Sequence, residues 1–481
     1  MELMRPLLFL ATCLGLAAPA AVGQWSVEHR GSVLLTDTAV DQHGVPFAVG
    51  GLSGITHAGG ATWLCVMDNS DKVVILDVVQ NDDGSIASAA IVGGLTLEES
   101  RDFEGIAHTG AASGSVLISD EGVPSVREFS LSDGRLLAVR PTPAVFDHIR
   151  PNRGFESLAR RCESGDSWTA NEEALTVDGP PSTPTNPTVV RLLRHDASAP
   201  DPVAAEQYAY WVEPMHGAFL PGQTGQSGLC DLVALPGGLL LALERSIALA
   251  SPLFLSRIFL VDFAAASDVS AFPALDGAVF TPATKTLLWS GPATNLEGLA
   301  LGPPLTPSVT GLLGIVDSGD PLSQNRLEGF ALIGPPPGGC ICTTSSFCAT
   351  SQNSAGSGAL IGSTGQASVS ANTFTLTATG AVGGQFGLFY YGGGQAQVPF
   401  GDGLRCVSSG GVGTFRLGPP QTIDGAGGLE RLVDFTQPPA GSGSGAIAAG
   451  STWFFQLWFR DPGAGGTGFN LSDGLSATFC P

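Results

Sequence analysis

A phrase recurs along the first two-thirds of the chain: an apolar turn holding Glu or Asp, a Gly-rich turn, then an apolar strand closing on a second acid. GLSGITHAGGATWLCVMDNSD starts at Gly51, DFEGIAHTGAASGSVLISDEG at Asp102 and GFESLARRCESGDSWTANEEA at Gly154. GLCDLVALPGGLLLALERS starts at Gly228 and NLEGLALGPPLTPSVTGLLGIVDSGD at Asn295. Several copies are followed by another amphipathic strand, such as VVILDVV (73–79), VREFSL (126–131), VVRLLRH (189–195) and RIFLVDF (257–263). The first three starts lie about 50 residues apart, the size of one propeller blade with several short strands. A β-sandwich or β-helix fits less well, because the acidic turn returns at one phase of the unit, as it does where equivalent strands face a shared axis.

Composition agrees with a chain of short strands and tight turns: 66 glycines and 34 prolines punctuate it, and β-branched and aromatic residues fall in short runs. The sharpest break is the Pro/Gly segment 334–339, which reads as a linker. The expected plan is all-β: a signal peptide over 1–23, a six-bladed β-propeller over 24–333 and a β-sandwich-like accessory domain over 340–481. The figure of six comes from dividing roughly 310 residues by the unit length. Within the first domain the Pro-rich stretch 179–187 reads as a surface loop. The last part alternates apolar and polar residues in runs such as TFTLTAT and TWFFQLWFRDP, with Trp453, Phe455 and Trp458 expected in its core.

Residues 1–23 have a basic start at Arg5, an apolar stretch from Leu7 to Ala18 and small residues up to Gly23, so the chain is expected to be secreted after cleavage near Gly23. No later stretch of about 18 apolar residues suggests a membrane span. Five of the cysteines lie beyond residue 339, so disulfides are expected chiefly there. Cys340, Cys342 and Cys348 lack a matching pair or a later histidine, which argues against zinc. With 43 acidic residues, 21 basic ones and a net charge of −22, the chain is a poor partner for nucleic acid.

The acids are the candidates for chemistry. Glu104, Glu156, Asp231 and Glu297 are read as one motif position; Asp68, Asp120 with Glu121, Glu172 with Glu173, Glu244, and Asp317 with Asp320 close the strands. Blade symmetry would gather about ten carboxylates at one end of a channel, more than can stay ionised without cations or hydrogen-bond donors. Hard divalent cations, calcium (Ca2+) above all, suit clustered carboxylates, and such ions could grip a phosphate ester and activate water. On this reading Asp68, Asp120, Glu121, Glu172, Glu244, Glu297, Asp317 and Asp320 are metal ligands, while Glu104, Glu156 and Arg245 act on a substrate. Arg245 follows Glu244 directly, and a guanidinium holds phosphate in a two-pronged grip. Two lysines, Lys72 and Lys285, leave no broad basic rim, so a small mono- or diester suits the chain better than a six-phosphate ester. No G-x-S-x-G elbow and no H-E-x-x-H helix occurs. His57 and His108, at one phase of the repeat, are expected to pack against each other on adjacent blades. NDDG (81–84) reads as a hairpin turn. The alternative function is a non-catalytic extracellular scaffold or ligand-binding protein, with the acids acting as hydrogen-bonded caps.

DFEGIA with VLISDEG, GFESLA with WTANEEA, LLLALERS with RIFLVDF, and NLEGLAL with LLGIVDSGD together resemble the phytase-like family, known by its esterase-like activity of phytase. The resemblance covers roughly residues 27–333. It implies a propeller with Glu and Asp at repeated positions, distantly similar to calcium-dependent phytases, and a small phosphorylated substrate. GLFYYG, PFGDGLRCV, FQLWFRDP and FNLSDGLSATFC resemble a module appended to large secreted bacterial proteins.

Overall fold

The computed structural model describes residues 25–110, 114–162, 164–197, 203–217, 226–249, 252–292, 295–306, 308–319, 324–334, 343–369, 371–448 and 451–479. The leader, most of the linker and Asp320 lie outside the described residues, as do Cys340 and Cys342.

Up to residue 334 the described chain forms five four-stranded antiparallel sheets. Sheet 1 runs through Leu52–Gly59, Thr62–Met67, Ser70–Gln80 and Ile86–Arg101; sheet 2 through Phe103–His108, Ser115–Asp120, Ser125–Ser130 and Leu136–Arg140. Sheet 3 uses Ala159–Arg160, Ser167–Ala170, Thr188–Asp196 and Val203–Val212, and sheet 4 Gln226–Ala234, Leu239–Ile247, Phe254–Asp262 and Thr284–Gly291. Sheet 5 takes Leu296–Thr306, Val309–Val316 and Arg326–Ile333 and is completed by the N-terminal strand Ser26–Leu34, paired antiparallel with Arg326–Ile333. The first strand of each sheet touches the first strand of the next, and the fifth returns to the first. The result is an all-β, propeller-like ring.

The core lies between neighbouring sheets. Trp63 and Leu76 of sheet 1 pack with Leu313 and Ile315 of sheet 5. Val66 and Val73 pack with Phe103 and Phe129, and Leu117 and Val126 with Phe155 and Leu193. Trp168 and Val190 meet Leu240 and Phe259, while Leu241 and Ile258 meet Leu312 and Phe330. Strands buried on both faces need continuous apolar runs rather than alternation, which explains LLLAL at the start of Leu239–Ile247.

Among the described residues up to 334 the four-stranded sheets number five, beside one small hairpin of Thr38–Val40 and Pro46–Ala48, where six blades were expected. The motif copies were counted correctly, but the unit length was underestimated. Sheets 3 and 4 carry long connections, from Ala170 to Thr188 and from Asp262 to Thr284, which absorb the residues assigned to a sixth blade. The 179–187 stretch lies in the first of these connections, where Ser182 is buried and donates to the Ser227 carbonyl. Residues 81–84 do turn a hairpin, with Gly84 at φ 88°.

Residues 343–479 form a six-stranded sheet, a three-stranded sheet and a hairpin, whose shared core contains Phe374, Tyr391, Trp453 and Phe455. Trp458 is only half-buried and packs beside Phe469 at 5.7 Å. A disulfide joins Cys348 to Cys406, and no helix among the described residues is long and apolar enough to cross a membrane.

Candidate functional site

Each motif copy places a fully buried apolar residue in or just before the first strand of its sheet: Leu52, Phe103, Phe155, Leu229 and Leu296. The next residue is Ser53, Glu104, Glu156, Cys230 or Glu297. In sheets 1, 2, 4 and 5 the strand register slips just here, so this residue lies in a β-bulge. Bulges re-aim side chains, and these five positions form a first layer around the axis.

A second layer comes from the ends of the next strands. Asp68, Glu121, Glu172 and Asp317 each donate their backbone N–H to the carbonyl of the residue that opens their own motif, Gly51, Asp102, Gly154 and Asn295, at 2.7–3.0 Å. Arg245 holds the same place in sheet 4, in register with Gly228. The second layer is therefore four acids and one arginine.

Six carboxylates of these layers, with Asp102 from the residue that opens the second motif copy, fall into three overlapping groups, each able to place one oxygen per residue within 4.8 Å of the others: Asp68–Asp102–Glu104, Glu104–Glu156–Glu297, and Glu121–Glu156–Glu172. Arginines compensate two of them. Arg245 contacts Glu172 at 3.0 Å, Asn295 at 2.6 Å and, at closer range, Glu297. Arg153 lies 3.3 Å from Glu172 and 3.9 Å from Glu173. Among the described residues no basic side chain pairs with Asp68, Asp102 or Glu104. Asp317 is held by Asn295 at 2.9 Å and accepts the Gly319 amide.

Several site residues expected from sequence lie elsewhere. Asp120 precedes the second-layer Glu121, and successive strand residues face opposite ways. It accordingly turns to Arg127 of its own sheet at 3.5 Å and to Arg101, at the end of the last strand of sheet 1, at 3.3 Å. Glu244 precedes Arg245 and turns away to Tyr210 Oη, Lys285 Nζ and the Glu213 amide, at 2.6, 2.6 and 2.9 Å. Neither is placed to bind a shared metal. Asp231 is one residue out of phase: Cys230 occupies the Glu104 position, and Asp231 aligns with Gly54, Gly105, Ser157 and Gly298. A Cβ at Gly105 would sit 2.5 Å from the Leu158 amide. Asp231 instead accepts the amides of Leu158, Leu299 and Leu232, at 3.3, 2.7 and 2.8 Å, and so ties sheet 4 to sheets 3 and 5.

Asp102 was missed. The other copies carry Gly51, Gly154, Gly228 and Asn295 at its place, so no recurring acid marked it. Its position just before the motif Phe was the available signal.

The electrostatics follow from burial. Glu104 and Glu156 are held well above the usual carboxylate range, first by loss of solvent and then by neighbouring acids. Asp68, Glu121 and Glu173 are pushed up to about 7, mainly by burial. A carboxylate whose folded pKa is raised contributes stability below its ordinary pKa, and loses it as pH rises through the folded value. The cation-free protein is therefore expected to lose melting temperature steadily between pH 4 and pH 8, and saturating calcium to flatten that slope. A melting temperature independent of pH without cations would contradict it.

Oxygen-rich groups of this kind match calcium or magnesium better than soft metals. Glu172 Oε2 is buried and accepts no hydrogen bond, its ion-pair partner among the described residues being the Arg153 guanidinium at 3.3 Å. The residues present thus fit a hard divalent cation, with Asp68, Asp102 and Glu104 as the least compensated ligand set.

His57 and His108 stand together at the opposite end of the same strands, where burial lowers the basicity of both. Their contacts are local: His57 Nε2 to the Gly60 carbonyl at 2.9 Å and the Trp63 ring at 4.8 Å.

No curated protein matches the sequence. Solved structures are similar only at low scores. The hydrazine synthase of Kuenenia stuttgartiensis is 10% identical over 58% of this chain, with a TM-score of 0.29, and this chain spans 62% of its length. A luciferin-regenerating enzyme is 11% identical over 60% of this chain and 93% of its own, with a TM-score of 0.30. A calcium structure of a Trichoderma reesei carbohydrate-active enzyme of family AA12 is 12% identical over 66% and 97%, with a TM-score of 0.30. At these scores none carries an argument about this protein. The profile of one family does match, over residues 48–315, which include four motif copies whole and most of the fifth: the chain belongs to the phytase-like family, described by its esterase-like activity of phytase.

Proposed function

We propose that this protein is a secreted hydrolase of small phosphate esters that works with divalent cations, calcium first, at the acidic end of the ring. The observation that supports it is the Asp68–Asp102–Glu104 group, three acids within 4.8 Å with no arginine among them, beside two groups that arginines partly neutralise. Asp68, Asp102 and Glu104 would hold one cation, and Glu121 and Glu172, beside Glu156, a second. Such cations would supply charge for the ester oxygens and lower the pKa of water.

The chain's own residues have separate tasks. Glu156 belongs to two groups and is the acid placed to take a proton from water. Arg245, already engaged by Glu172, Glu297 and Asn295, holds those acids in position, and its Nε–H is buried without an acceptor, available to an incoming anion. Asp317 orients Asn295. Export fits a chain with a disulfide, although residues 1–23 lie outside the described residues.

The test is metal analysis of the purified mature chain together with hydrolysis of p-nitrophenyl phosphate and bis-p-nitrophenyl phosphate, with calcium and with EDTA. Expected are bound calcium, turnover that EDTA abolishes, and a loss of about 100-fold or more for Glu156→Gln with unchanged folding. Absence of both bound metal and turnover on either ester would sink the reading. A second reading, non-catalytic ligand binding, is favoured by Arg153 and Arg245, which already satisfy part of the acidic layer. Bound calcium without turnover would support it.

A further inference from the structure

The channel wall continues beyond the acids in steps of two residues, the period at which strand side chains return to the same face. Two residues past the first layer stand Ile55, Ile106, Leu158, Leu232 and Leu299, each no more than 3% exposed. This apolar collar closes the axis. Two residues further come His57, His108, Arg160, Ala234 and Leu301, which line a cavity of about 590 Å³. The turn 363–367 and Thr344 of the C-terminal part border the same cavity.

The composition of this chamber runs against that of the whole chain. Acids outnumber bases 43 to 21 in the protein, yet among the described residues no Asp or Glu lines the cavity, and the charged or titratable groups found there are Arg160 and the two histidines. Arg160 makes no ion pair or hydrogen bond among the described residues. Burial, and after it the charge of Arg140, push its basicity down, with Glu128 and Asp166 acting more weakly in the opposite sense. Burial and the adjacent Arg160 keep His108 neutral, lowered to about 4, and burial lowers His57. What remains is one fixed positive fork at the rim of an apolar pocket.

We propose that this chamber is a second ligand site, separate from the acidic one, for a small amphipathic monoanion: an apolar body seated on the collar and a carboxylate held by Arg160. A guanidinium matches a carboxylate in a two-pronged grip. A phosphate dianion would call for more donors than a single arginine supplies. The volume lies in the range of small-molecule sites. Because the collar is packed, a ligand here does not reach Glu104 or Glu156, so the inference stands apart from the phosphoesterase reading.

The experiment is calorimetric titration of the full mature chain in EDTA with dodecanoate and, separately, with dodecanol, for wild type and Arg160→Gln. Wild type is expected to bind dodecanoate at least about tenfold more tightly than the alcohol. Arg160→Gln should remove that preference, leaving dodecanol affinity and calcium binding unchanged. Equal affinity of wild type for acid and alcohol, or no binding of dodecanoate up to its solubility limit, would overturn the proposal without touching the acidic site. The comparison within wild type stands even if the variant is poorly folded.

Discussion

Glu104→Gln should raise the melting temperature of the cation-free protein at pH 8 while lowering its calcium affinity by about tenfold or more. The two effects share one cause. Glu104 is buried, with Asp68, Glu121 and Asp102 close enough to repel its charge, and only Ser53 donating to it. At pH 8 an ionised group there strains the folded state, and an amide of the same shape removes that strain. Replacing a functional, destabilised side chain of this kind gains about 0.5–2 kcal/mol. The same amide offers a cation a weaker ligand, and Glu104 is shared by two of the three groups. Thermal melts in EDTA and in saturating calcium, with calcium titrations of both proteins, provide the check. If Glu104→Gln destabilises the cation-free protein and leaves calcium affinity intact, Glu104 is a structural acid and the cation site has to be placed elsewhere.

Asp231→Ala should be the most damaging change among the motif acids, costing about 3–5 kcal/mol. Burial pushes Asp231 up to about 8, while the amides of Leu299, Leu232 and Leu158 pull it back. Removing the carboxylate takes the acceptor from three buried N–H groups, on strands of sheets 4 and 5 and on the segment leading into sheet 3. Each unmet buried donor costs about 1–3 kcal/mol, less whatever a small cavity and a water recover. Urea denaturation measures the loss. Calcium affinity of the folded fraction should be unchanged, because Asp231 belongs to none of the three carboxylate groups. A loss of calcium binding with stability intact would reverse that assignment.

Much of the architecture could be read directly. Five copies of the motif became five sheets, and the strands that follow them, such as Phe254–Asp262, took their expected places. The acids of the first layer, Glu104, Glu156 and Glu297, do meet; of the second, Glu121 and Glu172 meet beside Glu156, while Asp68 joins Asp102 and Glu104 instead. Phase was the weak point. Asp120, Asp231 and Glu244 each lie one residue from a position that faces the axis, and in a strand one residue is the difference between two faces.

What the chain's order of residues established was periodicity: how many units there are, what recurs in each, and that acids recur at one end. This is legible because a repeat imposes its spacing locally, through turns and the two-residue alternation of strands. Folding settled matters that depend on residues far apart in the chain. It put Arg245 where four other sheets carry an acid, brought Arg153 to Glu172, and left Asp68, Asp102 and Glu104 without a counter-charge. It also set an apolar collar between an acidic end and a basic one. Charge balance across a channel is a sum over five sheets, and no single motif contains it.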